Sequence, residues 1–292
     1  MNKTIGDTVK YIRKAKNINQ KNVCLNNISR STLVKIEGNK TNPTVQTFEH
    51  ILKQLGVGYD EFSFVLNNFQ LSERQKLLEK FNNINTSIRL KQWLALEQEM
   101  KHYLLIEPDP IIQEYLLIVK ALITIESEDD YVKAAQFVSP IWERISKNDV
   151  WFMDDIQLLT CIFFMFDSQV ALTISQRLIK QTEKYQHVAN IKRIRTNTLM
   201  NISTLLLNQQ DYINALNYIN LTIQNAKENE YYTLWLFSKG TKGILLCLLN
   251  KHSEGLPLIK ESIKLLNGLE QTDIADALKK DVKNYINMDI QN

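Results

Sequence analysis

Residues 20–43 read QKNVCLNNISRSTLVKIEGNKTNP, and their punctuation marks two short helices with a turn between them. The first covers about Gln20 to Leu25, and Asn26-Asn27 makes a tight turn after it. Ser29 then stands where a helix N-cap belongs, since a serine hydroxyl accepts one of the backbone N–H groups that the first helical turn leaves unpaired. In the helix that follows, Ser31 through Glu37, Leu33 and Ile36 fall on one face and Arg30, Thr32 and Lys35 on the other. Gly38-Asn39 closes it, glycine and asparagine being the residues that best tolerate the left-handed conformation. A short helix anchored by two apolar residues and showing a polar, cationic face is laid out to probe another surface.

Working outward, Val9, Ile12 and Ala15 give an upstream helix with Thr4 as its cap, and Ile18-Asn19 ends it. Downstream, Asn42-Pro43 is expected to start a fourth helix running through Leu55, and Tyr59 to Leu66 supplies a fifth. This region is also where the charge sits. Residues 1–66 carry ten Lys/Arg against five Asp/Glu, whereas the rest carries 25 against 27. The excess therefore lies at one end, as suits a segment that meets phosphates.

Five helices with Arg13, Gln20 to Cys24, Ser29-Arg30-Ser31-Thr32-Leu33, Glu37 and Asn42-Pro43 at these spacings resemble the lambda-repressor-type (XRE) helix-turn-helix. Val23-Cys24 replaces the usual Leu-Ala pair, and Gly38-Asn39 inverts the usual Asn-Gly order. The resemblance implies a third helix in the major groove, with Arg30, Ser31, Thr32 and Lys35 near base edges or flanking phosphates. Arg13, Gln20, Lys21 and Ser29 complete the expected DNA contacts, holding the backbone without reading sequence.

After Phe69 the apolar spacing lengthens into amphipathic segments of about 15–20 residues. Four breaks introduce related helices: Asp130-Tyr131 with Ala134, Asp167-Ser168 with Ala171, Asp211-Tyr212 with Ala215, and His252-Ser253 with Leu256. Repetition of this kind identifies helical hairpins stacked in an array. The Asp-Tyr-x-x-Ala cue resembles the turn into the second helix of a tetratricopeptide repeat. Pro140 reads as a kink and Pro257 as a first-turn residue. The expected fold is all-α, a lambda-repressor-like helix-turn-helix domain (1–67), a linker helix (68–87) and a tetratricopeptide-like α-solenoid (88–292).

Stacked hairpins curve, and the first helix of each pair lines the concave face. There Arg193, Asn197, Asn201 and Thr204 or Asn208 form one stripe at helical spacing, with Gln157 and Lys239 on neighbouring first helices. An asparagine amide both donates and accepts a hydrogen bond, which suits the backbone of an extended peptide. A solvated face or repeat-to-repeat hydrogen bonds account for the same stripe equally well. The aromatic runs at Trp151-Phe152 and Ile162 to Phe166 read as core before pocket.

The whole chain is similar to the Rgg/GadR/MutR regulators. Trp151 through Phe166 and Asn197 to Ala215 carry the likeness beyond the helix-turn-helix. That family implies promoter DNA, a short hydrophobic peptide and a second copy of the chain as partners, and RNA polymerase is a further candidate partner. Two heads would meet half-sites about 34 Å or a multiple apart. A repeat domain serving only dimerisation or protein docking is the alternative.

Other function classes find little support. Cys24, Cys161 and Cys247 have no metal-ligand spacing, and each sits in an apolar helical context. His50, His102, His187 and His252 lie on different helices, and no phosphate loop or catalytic signature occurs. No enzyme activity and no cofactor are expected. The longest apolar runs, near Leu116 to Ile125 and Ile156 to Phe166, fall short of the roughly 20 residues of a spanning helix. No signal peptide is read, and a cytoplasmic, membrane-free protein is expected.

Overall fold

The computed structural model describes residues 3–25, 27–84, 90–188 and 190–289, and no strand occurs among them. Asn26 of the expected tight turn, residues 85–87 of the expected linker helix, and residue 189 at the head of the polar stripe lie outside the described residues. The chain divides into two compact units, Met1–Lys80 and Phe81–Asn292.

The first unit contains α1 (Ile5–Ala15), α2 (Gln20–Cys24), α3 (Arg30–Glu37), α4 (Val45–Leu55) and α5 (Tyr59–Leu66). Val9, Ile12, Val23, Leu33, Ile36, Ile51, Leu55 and Phe62 meet in its core, so α2 and α3 are each held by their apolar side. Thr4 caps α1 in a capping box with Asp7. Asn39 takes the left-handed turn after α3 with φ 56°, while Gly38 stays at φ −97°. The inverted Gly-Asn order is thereby explained, because the asparagine alone supplies the positive φ. Asn39 also donates from Nδ2 to the Asp7 carboxylate at 3.1 Å, tying the end of α3 to the start of α1. Gly6 permits that approach, since a Cβ there would lie 2.0 Å from the Ile36 carbonyl oxygen. One sequence expectation is corrected: α4 starts at Val45, after the proline. Thr44 is its cap, accepting from the Thr47 N–H at 3.3 Å.

After α6 (Glu73–Asn83), the second unit runs α7 (Leu90–Ile106), α8 (Pro110–Glu128), α9 (Tyr131–Ile145), α10 (Met153–Ile162), α11 (Ser168–Lys184), α12 (Ile191–Asn208), α13 (Tyr212–Glu228), α14 (Tyr232–Leu248), α15 (His252–Gly268) and α16 (Thr272–Ile286). A repeated turn sets the rhythm from α12 onward. Gln210, Glu230, Asn250 and Glu270 each adopt φ between 57° and 63°. At the first, Gln210 N–H bonds to Leu207 O and Asp211 N–H to Leu206 O, both at 3.0 Å, and the other three repeat the pattern. This is a Schellman closure, here made without glycine.

The turns also fix the register of the small residue that lets paired helices touch. Ala134, Ala171, Ala215 and Ala275 are fully buried, each four residues after the last turn residue. In α15 that position is Gly255, not Leu256, so the expected fourth-repeat alignment at His252-Ser253 is one residue late. A Cβ at Gly255 would lie 2.5 Å from the Gly243 carbonyl oxygen, and one at Gly243 2.6 Å from that of Gly255. Pro257 falls in the second turn of α15, not the first. Helix α9 continues through Pro140, and the carbonyl of Gln136, which a proline cannot bond, accepts from the Ser139 hydroxyl at 3.2 Å.

Candidate DNA interface and repeat cavity

Ser29 caps α3, its Oγ accepting from Thr32 N–H at 3.0 Å, and the Ser31 and Thr32 hydroxyls lie 2.8 Å from it. Such a cap contributes about 1 kcal/mol. Arg30, Ser31 and Lys35 are exposed and Thr32 half-buried, so all four expected contacts of α3 lie off the core. Lys21 and Lys35 have no hydrogen-bond or ion-pair partner among the described residues.

Arg13 has another position. Its side chain is 12% exposed against 4% for Glu37, with Nε to Oε1 at 2.5 Å and Nη2 to Oε2 at 2.9 Å. Nη1 donates to the Ile18 carbonyl at 3.0 Å, closing the turn into α2. Burial pushes the Glu37 carboxyl up, but hydrogen bonds from Arg13 and Gln20 and the Arg13 charge outweigh it and hold it below the ordinary carboxylate range. Gln20 joins this brace to α3's outer face: Nε2 donates to Glu37 Oε2 at 3.0 Å, and Oε1 accepts from Arg30 Nε at 3.3 Å. The line Arg13–Glu37–Gln20–Arg30 thus runs from core to surface. It borders a polar cleft of about 520 Å³ lined by Arg13, Asn19, Gln20, Lys21 and Arg30.

Two residues that sequence reading passed over steady the same face. His50 on α4 donates from Nε2 to the Val23 carbonyl at 2.8 Å, leaving Nδ1 to accept from Asn27 Nδ2 at 3.0 Å. A carbonyl only accepts, so these bonds require the neutral Nε2–H tautomer. Lys16 caps α4, its ammonium 3.0 Å from both the Leu55 and Gly56 carbonyls.

In the second unit a cavity of about 130 Å³ is lined by Tyr131, Phe164, Asn201, Thr204, Leu205 and Asn208. The lower half of the expected stripe is therefore brought together. Asn201 donates from Nδ2 to the Thr160 carbonyl at 3.2 Å, and Thr204 to the Met200 carbonyl at 3.2 Å. Arg193 and Asn197, exposed toward the start of α12, do not line the cavity. Gln157 is engaged elsewhere, donating to Asn82 Oδ1 at 2.8 Å. Lys239 pairs with Glu261 at 3.0 Å and lies 4.9 Å over the Trp235 ring. Of the aromatic runs, Trp151, Ile162, Phe163 and Met165 are core, Phe164 reaches the cavity and Phe152 is exposed. No group of three or more metal-ligating side chains occurs among the described residues, and no helix there is long and apolar enough to cross a membrane.

A braced two-helix reading head, followed in the chain by hairpins closed by repeated Schellman turns, defines a helix-turn-helix regulator architecture. The helix-turn-helix family model matches residues 9–62, and that of the HTH-type transcriptional regulator Rgg, C-terminal domain, matches residues 113–280. With more than half its length inside that second match, the chain belongs to the Rgg family of transcriptional regulators. Among solved structures it is similar to a candidate transcriptional regulator from Listeria monocytogenes EGD-e, with 19% identity, 98% of both chains covered and a TM-score of 0.77. It is also similar to PlcR of Bacillus thuringiensis in complex with the peptide PapR7 and DNA, with 15% identity, 95% of this chain and 99% of that one covered and a TM-score of 0.69. The SHP pheromone receptor Rgg2 of Streptococcus dysgalactiae gives 13% identity, 96% and 99% coverage and a TM-score of 0.66. At these identities the likeness is one of fold.

Proposed function

We propose that this regulator is a cytoplasmic homodimer that reads promoter DNA with α3 and takes a short signalling peptide into its repeat domain. The observation that carries the DNA half is the support of Arg30: Gln20 accepts from its Nε, leaving the two Nη groups for a planar acceptor such as the O6/N7 edge of guanine. Ser31, Thr32 and Lys35 complete the reading face, and Lys21 supplies a phosphate contact. Arg13 acts from within, holding α3 by Glu37. In functional terms residues 1–67 form the head, 68–87 the linker and 88–292 the ligand-binding and dimerisation part.

The peptide half rests on the cavity beside α12, where Asn201, Thr204 and Asn208 offer amide and hydroxyl groups against the Phe164 ring. The complex of PlcR with PapR7 and DNA supports this reading. Arg193 and Asn197 extend the stripe toward the start of the helix, and Gln157 and Lys239 flank it at a distance. A peptide acts on the heads only if it binds one arrangement of the repeats more tightly than another. Isothermal titration with synthetic peptides from short reading frames beside the gene tests this. Saturable binding that weakens at least tenfold in Asn201→Asp is expected; equal binding by both proteins contradicts the cavity assignment.

A further inference from the structure

Asn208 is the last residue of α12 and lines the cavity with Tyr131 and Phe164. Its side-chain oxygen is engaged from another helix: the Tyr285 hydroxyl on α16 donates to Asn208 Oδ1 at 2.5 Å, although three helices separate the two residues in the chain. The Tyr285 ring packs against the core shared by α14, α15 and α16, which gives the hydroxyl a fixed base. Burial pushes that hydroxyl up to about 12, so it keeps the proton it donates. The Asn208 Nδ2 has no partner among the described residues.

A carboxamide turned by half a revolution exchanges donor for acceptor, so an untethered asparagine offers a ligand either group. With Oδ1 committed to Tyr285, Nδ2 is the group that Asn208 keeps for a ligand. Asn201, two turns earlier on α12, is tethered in the opposite sense: its Nδ2 donates to the Thr160 carbonyl at 3.2 Å, and its Oδ1 has no partner among the described residues. One wall of the cavity therefore presents an acceptor at Asn201 and a donor at Asn208, about 10 Å apart along the helix axis. Orienting the amide in advance removes the cost of ordering it when a ligand arrives. The bond to its oxygen also polarises the N–H groups, which strengthens the donor.

We propose that Tyr285 is a positioning residue of the ligand site: it sets the Asn208 carboxamide as a donor, and the group received there is a carbonyl or carboxylate oxygen of the bound peptide. The inference rests on the peptide reading above and assigns the hydrogen-bond sense at one end of the cavity.

The full-length protein is exposed at pH 7.4 to a pool of octapeptides built from Gly, Ser, Val, Leu, Ile and Phe. Peptides that it enriches are identified by mass spectrometry, resynthesised and titrated singly by calorimetry on the wild type, Tyr285→Phe, Asn208→Ala and the double variant. Loss of one hydrogen bond corresponds to an affinity about 3–10-fold lower, which is expected of each single variant. In the double variant no loss beyond that of Asn208→Ala is expected, because no amide is left to orient. A merely structural Tyr285 would add its loss in both backgrounds. Phenylalanine keeps the ring among its neighbours, so the variant is expected to fold, and a thermal melt checks this. Asn208→Asp, which keeps an acceptor for the hydroxyl but has no N–H, provides a second probe and is expected to lose the affinity as well. Resynthesis with a C-terminal amide separates the two ligand sources: unchanged affinity assigns a backbone carbonyl, and a loss assigns the terminal carboxylate. Unchanged binding by Tyr285→Phe, or losses that add in the double variant, overturns the positioning role and leaves the peptide reading intact. Enrichment of no peptide, with promoter binding retained, overturns both.

Discussion

Arg13 on α1 grips Glu37 on α3 through two N–H···O bonds, at 2.5 and 2.9 Å, and this pair fixes the angle at which α3 leaves the core. Removing the acid leaves a largely buried guanidinium without its counter-charge. Glu37→Gln is therefore expected to destabilise the first unit by about 3 kcal/mol. Urea unfolding followed by circular dichroism checks it, as a lower midpoint with an unchanged slope.

Acid titration gives the same pair a signature. Glu37 lies below the ordinary carboxylate value in the folded chain, so its contribution is fully present above the unfolded value of about 4.3 and is lost as pH falls through the lower folded value. The stability difference between wild type and Glu37→Gln is expected to hold from pH 7 to 5 and to narrow below about pH 4. A difference constant down to pH 3 would contradict the brace.

Lys21 is exposed at the rim of the polar cleft and has no side-chain partner among the described residues. A phosphate contact of this kind contributes affinity without discrimination. Lys21→Ala is expected to weaken binding to promoter and unrelated duplex alike, and to lower the slope of log K against log salt by about 1. Fluorescence anisotropy over 50–200 mM salt measures it.

Gly255 and Gly243 meet where α14 crosses α15, each close enough that a methyl group would collide with the other's carbonyl. Gly255→Ala is expected to destabilise the repeat unit by about 1–3 kcal/mol, seen as a lower melting temperature. Alanine already fills the equivalent places at residues 134, 171, 215 and 275, and a neutral substitution would show that this crossing is no tighter than those.

Burial pushes the Cys161 thiol up to about 12 and raises Cys24 and Cys247 as well. Thiolate is the reactive form. Iodoacetamide at pH 8 is expected to leave all three unmodified in the native chain and to label all three in urea, as read by intact mass.

The helix-turn-helix was legible because each of its signals is local: Thr4 and Ser29 at caps, Asn39 at a stop, Leu33 and Ile36 one turn apart. The repeats were legible in part. Ala134, Ala171 and Ala215 follow an aspartate that caps the helix, but the turn before α15 ends in Lys251, and without that cue the alignment slipped from Gly255 to Leu256. Glycine would have flagged the left-handed turns, and Gln210, Glu230, Asn250 and Glu270 do not. Pairing across helices left no local trace. Nothing near Arg13 predicts Glu37 as its partner, and Gln157 and Lys239 read as groove residues although Asn82 and Glu261 engage them. The meeting of Tyr131, Phe164 and Asn208 at one cavity depends on how helices stack, which helical periodicity does not encode.

The proposed reading of a duplex by α3 rests on Arg30, set in place by Gln20. Its most direct measurement is the affinity of wild type and Arg30→Ala for a cognate promoter fragment and for shuffled DNA of equal length, by anisotropy at one fixed salt concentration. A loss of about 1–3 kcal/mol on the cognate fragment with little change on the shuffled one is predicted. Equal losses on both, or no preference for the cognate fragment in the wild type, would contradict it.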